Sequence, residues 1–345
     1  MKKILDIDFG IKTMYEAFVP SQMSSKLFYG LYLLKDKYEI EFYSLCQFTL
    51  KGHIENNLKV LGRYDVIFQT YLYIQPILLL AILRKIGLFR KRKMVAISHL
   101  ALRKGDSYLK RRLLKLIYGT YDKLLFHSIK NMQESIESGM IDKNKCEALL
   151  WGEDIDYIDR NCQLIRGNYF LSTGRECRDF TILIHAFNKC NNANLKLYTN
   201  RINYDNDYSY LTLEQGMHSN IEITFVEKNN ETTRYLSAKT AGCLCVVIPI
   251  CKKDIYYCVG LTSVIEAMAM AKPIISTRNL YSPIDIEKEG IGIFVDTEED
   301  WTKAIKYLSS HPEEAEAMGK RARKLAESKH NIKLCSAQLQ SIFDL

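Results

Sequence analysis

Short apolar runs alternate with helical segments along the whole chain, and this alternation restricts the fold more than any single motif. In the first half, strands are expected near Ile4–Phe9, Glu39–Leu45, Val66–Thr70, Met94–His99, Lys123–His127 and Glu147–Trp151. Helices lie between several of them, including one from Met23 to Leu34 with apolar contacts at Leu27, Leu31 and Leu34. The second half repeats the pattern, with strands near Tyr169–Thr173, Leu195–Tyr198, Ile221–Phe225, Cys243–Ile248, Pro273–Ser276 and Ile293–Phe294. Such alternation implies parallel sheets with helices on both faces. A chain of 345 residues is long enough for two units with separate cores. The polar stretch Gly152–Arg160 marks the boundary, so the units are expected at 1–158 and 159–330, with a hinge between about 152 and 168. A last helix is expected within 331–345.

Two strand–loop–helix segments carry the chemistry. In Gly260-Leu-Thr-Ser-Val-Ile-Glu-Ala-Met-Ala-Met-Ala-Lys-Pro-Ile-Ile-Ser-Thr277, Ser263 is placed to cap a helix, with Glu266 in the spacing of a capping box, and Pro273 stops it before Ile274-Ile275. A helix that opens where a parallel strand has just ended points its first N–H groups, here those of Thr262, Ser263 and Val264, at a ligand crevice suited to phosphate. The second segment runs from the strand Asn168–Thr173 through Gly174-Arg175-Glu-Cys-Arg178-Asp179 into an apolar helix at Ile182, Leu183, Ala186 and Phe187. Guanidinium groups in such a turn offer paired donors to phosphate oxygens and stay charged at any relevant pH. The competing reading is a surface ion pair of Arg178 with Asp179 or Glu176.

The first of these segments resembles the Glu-Ala-Met-Ala helix of retaining GT-B glycosyltransferases of the family-4 type. That resemblance implies two Rossmann-like doubly wound domains facing each other across a cleft, with Glu266 gripping the ribose hydroxyls of a sugar nucleotide. The loop Gly174-Arg175…Arg178 is similar to the family's cationic loop, and the likeness implies that Arg175 and Arg178 neutralise the leaving diphosphate while Thr262 and Ser263 contact phosphate. Trp151-Gly152-Glu153-Asp154 resembles the family's linker, and the terminal helix is expected to cross back onto the first domain. His99 resembles the histidine that ends the corresponding family strand and contacts the transferred sugar; a structural histidine at a strand end is the alternative. His127 has the same topological position. Gly10, after the first strand, would let the backbone approach the donor phosphates, or form an ordinary turn. The chain departs from the family pattern at Cys258, where a second glutamate is usual, and at Ala271, where a glycine is usual. Asp254 or a backbone amide is then expected to face the sugar.

Composition narrows the alternatives. The ten cysteines form no Cys-x-x-Cys pair, and no secretory signal precedes the first strand, so reduced thiols in a cytoplasmic protein are expected. No P-loop, complete Gly-x-Gly-x-x-Gly, His-Glu-x-x-His or Gly-x-Ser-x-Gly occurs. The triplets Asp6/Asp8, Asp154/Asp156 and Asp205/Asp207 are not read as metal ligands, because arginines and a helix N-terminus can carry leaving-group charge; no metal and no cofactor are expected. Residues 1–150 hold 25 Lys and Arg against 14 Asp and Glu, a net +11, while the remainder is at −3. The excess gathers in Arg90–Lys93 and Arg103–Lys115, where an amphipathic basic helix suits an anionic bilayer surface or, alternatively, is the solvated face of a core helix. No recognised nucleic-acid module accompanies the charge.

The expected activity is transfer of a sugar from a UDP- or GDP-type donor to a hydroxyl acceptor, with retention. A glycan or lipid-linked saccharide of surface polysaccharide synthesis, at the cytoplasmic face of the inner membrane, is the expected acceptor. A sugar-nucleotide epimerase or phosphorylase on the same fold, or a non-catalytic sugar-nucleotide-binding protein, is the alternative.

Overall fold

The computed structural model describes residues 1–345 except 48, 204–205, 213–217, 228 and 252–256, so Asp205 and Asp254 lie outside the described residues. The chain divides into two compact units: Met1–Val19 with Ser25–Trp151 and Ile332–Leu345, and Pro20–Ser24 with Gly152–Asn331. The polypeptide thus changes unit after Trp151, and the last helix belongs to the first unit.

In the first unit β1 (Lys3–Asp8), β2 (Glu39–Ser44), β3 (Val66–Gln69), β4 (Lys93–Ser98), β5 (Lys123–Phe126) and β6 (Cys146–Ala148) form one parallel sheet in the order β2-β1-β3-β4-β5-β6. Its helices are α1 (Ile11–Glu16), α2 (Leu50–Val60), α3 (Leu78–Lys85), α4 (Tyr108–Tyr118) and α5 (Ile129–Glu137). Ile4, Phe68 and Val95 pack on one face of the sheet; Leu5, Ile67 and Met94 pack on the other. Burial on both faces explains why β3 and β4 read as nearly continuous apolar runs.

The second unit contains α6 (Ile155–Asn161), β7 (Tyr169–Thr173), α7 (Phe180–Asn188), β8 (Asn194–Thr199), the short ribbon β9 (Ile202–Asn203) and β10 (Asn206–Asp207), β11 (Ile221–Phe225), α8 (Asn230–Ala241) and β12 (Cys245–Ile248). It continues through α9 (Leu261–Ala269), β13 (Ile274–Thr277), β14 (Gly292–Val295), α10 (Glu298–Ser310) and α11 (Pro312–Lys329), and the chain ends with α12 (Ile332–Asp344) in the first unit. The six main strands pair in parallel in the order β11-β8-β7-β12-β13-β14. Strand order reverses between β7 and β12, and at such a switch point the loops leaving the carboxyl ends diverge and open a crevice.

Three local expectations are corrected. Met23–Leu34 is not one α-helix but two 3-10 turns, Ser25–Phe28 and Leu31–Leu34, separated by Tyr29 at φ 50° and Gly30 at φ 82°. A Cβ on Gly30 would lie 2.7 Å from the Ser336 backbone nitrogen, so the turn is broken where α12 passes against it. The run Asp296-Thr-Glu-Glu299 has the spacing of a capping box that opens at Asp296, but helix α10 is capped one residue later: Thr297 accepts from the Asp300 amide at 3.2 Å, and Asp300 accepts from the Thr297 amide at 3.1 Å. Helix α9 begins at a left-handed Gly260 (φ 80°) with no side-chain cap, which places Ser263 inside the helix and removes the proposed Ser263–Glu266 capping box.

At the other end of α9, Ala271 adopts φ 55°, so that the Lys272 amide reaches the Ala267 carbonyl at 2.9 Å. A Cβ is disfavoured in that conformation. Ala271→Gly is therefore expected to raise stability by about 0.5–1 kcal/mol in urea denaturation, the relief of strain outweighing glycine's extra unfolded-state entropy.

Candidate functional site

The loop after β7 and the start of α9 meet at the switch point of the second unit. They line a cavity of about 320 Å³ together with one face of α8; Arg175, Arg178, Thr262, Ser263 and Glu266 are all on its wall. Arg175 and Glu266 are half-buried, Thr262 is exposed, and Ser263 and Arg178 are each 8% exposed.

Gly174 makes the cationic loop possible. Its φ of 133° lies where side chains are disfavoured, and a Cβ there would sit 2.7 Å from the Arg178 guanidinium. The guanidinium fills that space and donates to the Glu176 carbonyl at 2.7 Å and to Ser263 Oγ at 3.4 Å, tying the loop to the first turn of α9. Asp179 caps α7 by accepting from the Ile182 amide at 3.2 Å. Arg178 is therefore no surface side chain.

In the first turn of α9, Val264 already donates to the Gly260 carbonyl at 3.0 Å, and Leu261 donates to Cys258 at 3.1 Å. The expectation that the Val264 amide faces a ligand is thus corrected; Thr262 and Ser263 are the first-turn amides ahead of the helical ladder. Glu266 sits farther along, on the cavity face. Cys258 is also on the wall, and burial pushes its thiol up to about 12, so it is a neutral group where a family carboxylate would stand. Sequence reasoning missed the opposite wall: Thr233, Ser237 and Thr240, spaced by four and three residues on α8, with Leu236. The periodicity was visible, but each hydroxyl donates to its own helix, Thr233 to Asn229, Ser237 to Thr233 and Thr240 to Leu236, and a locally satisfied hydroxyl gives no sequence signal.

His99 and Gly10 belong to the first unit. Gly10 is left-handed (φ 69°) at the start of α1, and a Cβ there would meet open space. His99 follows β4 and is enclosed by rings: Tyr71 stacks on it at 4.8 Å between centroids, His127 lies at 4.7 Å, and Tyr29 Oη is 3.2 Å from Nε2. Tyr29 in turn stacks on Trp151 at 5.7 Å. Among the described residues Nδ1 of His99 is buried without a hydrogen-bond partner. Burial pushes His99 down to about 4 and holds His127 well below the usual histidine range, with His99 adding repulsion, so both imidazoles are neutral at pH 7. On the same side of the sheet as Ile4, Asp6 is fully buried with both carboxylate oxygens lacking partners, and desolvation raises it well above an ordinary carboxylate, with Asp8 adding repulsion.

These groups give stability a signed pH dependence. The unfolded chain protonates His99 near 6.5 and the folded one only near 4, so between these values the unfolded state binds more protons and stability falls as pH drops. Asp6 works in the opposite direction, because its folded form keeps a proton that the unfolded form releases above about 3.8. Urea denaturation across pH 4–6.5 is expected to show His99→Gln losing about 2 kcal/mol less stability on acidification than the parent, and Asp6→Asn losing more than the parent.

Among the described residues, no group of three His, Cys, Asp or Glu is arranged to hold a metal ion, and no helix is long and apolar enough to cross a membrane.

Comparison with known proteins agrees with this architecture. Residues 204–325 match the family described as Glycosyl transferases group 1. No curated protein sequence matches the chain. Among solved structures, Anabaena HepE in complex with UDP and glucose is similar at TM-score 0.69 and 14% identity over 100% of both chains. Sucrose-phosphate synthase from Thermosynechococcus elongatus is similar at TM-score 0.71 and 14% identity, covering 100% of this chain and 98% of that one. A glycosyltransferase from Rickettsia africae is similar at TM-score 0.68 and 14% identity, covering 99% and 97%. The chain has the GT-B fold class, built of two Rossmann-like parallel-sheet units.

Proposed function

We propose that the protein is a metal-independent hexosyltransferase that moves a sugar from a nucleoside diphosphate donor to a hydroxyl acceptor. The observation that carries this reading is the cavity of the second unit, where two arginines, the first turn of α9 and Glu266 share one wall. Cleaving a glycosyl–phosphate bond builds negative charge on the departing diphosphate. Fixed cationic donors aimed at that charge lower the barrier without reorganising during the reaction. Arg175 and Arg178 take that role, Thr262 and Ser263 offer amides and hydroxyls to the phosphates, and Glu266 accepts from the ribose hydroxyls.

Retention of configuration rests on the family resemblance. UDP is the favoured nucleotide, because similar folds have been solved with UDP and with UDP-glucose. We place the acceptor among glycans or lipid-linked saccharides of surface polysaccharide assembly, at the cytoplasmic face of the membrane. Titration calorimetry with UDP, GDP and their sugars, followed by radiolabel transfer to a lipid and glycan extract with and without EDTA, tests the reading. Saturable binding of one nucleotide and EDTA-resistant transfer are expected. Absence of nucleoside diphosphate binding at millimolar concentration would overturn it, and donor epimerised without any acceptor would assign the cavity to isomerisation instead.

A further inference from the structure

Helices α2, α3 and α4 cover the same face of the first sheet. Val60, Leu80, Ala81, Ile117 and Tyr118, contributed by all three, enter a single core layer. Each helix thereby meets its packing requirement with an inward stripe. Each also carries a second apolar stripe that the fold does not bury.

On α4 the outward stripe is Leu109, Leu113 and Leu116, with Leu109 77% exposed. On and just after α3 it is Leu79, Ile82 and Ile86, the last 70% exposed. On α2 it is Leu50, Ile54 and Leu58. The spacings are those of one helical face in every case. Between α2 and α3 the stripes enclose an open apolar groove of about 330 Å³ that includes Ile54, Leu58, Leu79 and Ile82. Three adjacent helices with solvent-facing leucines and isoleucines form a contiguous patch of the sort that marks an interaction surface.

Charge decides what covers it. Residues 78–119 hold twelve Lys and Arg and one acidic residue, Asp106. Arg92 is buried, and Arg84 pairs with Asp122 at 3.1 Å. Arg90, Lys91, Arg103, Lys104, Arg112 and Lys115 are exposed. A second copy of the chain placed on this face would set like charges against each other, and a soluble polyanion would leave the apolar stripes in water. An anionic bilayer satisfies both at once: leucines enter the acyl boundary while cations meet lipid phosphates.

We propose that the α2–α3–α4 face docks on the surface of an anionic phospholipid bilayer. The proposal stands apart from the donor chemistry, which is read separately through nucleotide affinity. Its test is co-sedimentation with phosphatidylcholine vesicles with and without phosphatidylglycerol, at low and high salt. Binding is expected to require phosphatidylglycerol, to weaken with salt, and to fall by about tenfold or more in Leu109→Ser/Leu113→Ser, which removes two exposed apolar contacts. The Lys115→Gln/Arg112→Gln variant is expected to weaken binding while leaving nucleotide affinity unchanged. Equal binding to neutral vesicles, equal binding by the leucine variant, or a dimer that the leucine variant dissociates would overturn the assignment.

Discussion

Arg175→Ala is expected to lower transfer by about 10²–10³-fold, the usual effect of removing one preorganised donor from a developing anion. The side chain is half-buried on the cavity wall, so truncating it leaves the core of the second unit intact, and its denaturation midpoint should move little. Arg175→Lys should recover part of the rate, since an ammonium restores charge without the paired donors of a guanidinium. Arg178 is the contrasting case. It is buried and links the loop to Ser263, so Arg178→Ala should cost stability as well as rate. Steady-state transfer assays with urea curves on the same preparations separate the two effects. Transfer by Arg175→Ala within a few-fold of the parent would remove diphosphate stabilisation from this loop.

Glu266→Ala is expected to weaken nucleoside diphosphate binding by about 100-fold, the loss of two hydrogen bonds to an ionised acceptor. α9 starts at Gly260 with no side-chain cap, so a capping role at that helix start is not what the Glu266 substitution removes. Calorimetry with UDP and 2′-deoxy-UDP supplies the discriminating readout. The parent should prefer the ribose form, and the variant should lose that preference. A variant that still discriminates would place the ribose elsewhere in the cavity.

The central strands β3, β12 and β13 were legible because they are buried on both faces and read as short apolar runs, whereas β2 and β11 at the sheet edges keep exposed glutamates and alternate instead. The arginine loop was legible for a similar reason: glycine and guanidinium chemistry after a strand has few purposes. Elsewhere the same local pattern served two structures. Leu27, Leu31 and Leu34 have helical spacing, yet the chain meets it with two separate 3-10 turns because α12, some three hundred residues later, needs the room at Gly30. Ser263 and Glu266 have the spacing of a capping box, but the left-handed bend at Gly260 starts the helix earlier. The enclosure of His99 by Tyr29, Tyr71 and His127 assembles from distant segments, and no window of sequence contains it.

The return of α12 to the first unit has a consequence for biosynthesis. Ile332, Cys335, Leu339 and Phe343 are fully buried beside Ile4, Phe68 and Val95, so that half of the protein lacks part of its interior until the tail has left the ribosome. The second unit, complete by Asn331, has no such delay. During translation, the core of the first unit therefore cannot close until residues 332–345 have been made, although its six strands all lie within the first 150 residues.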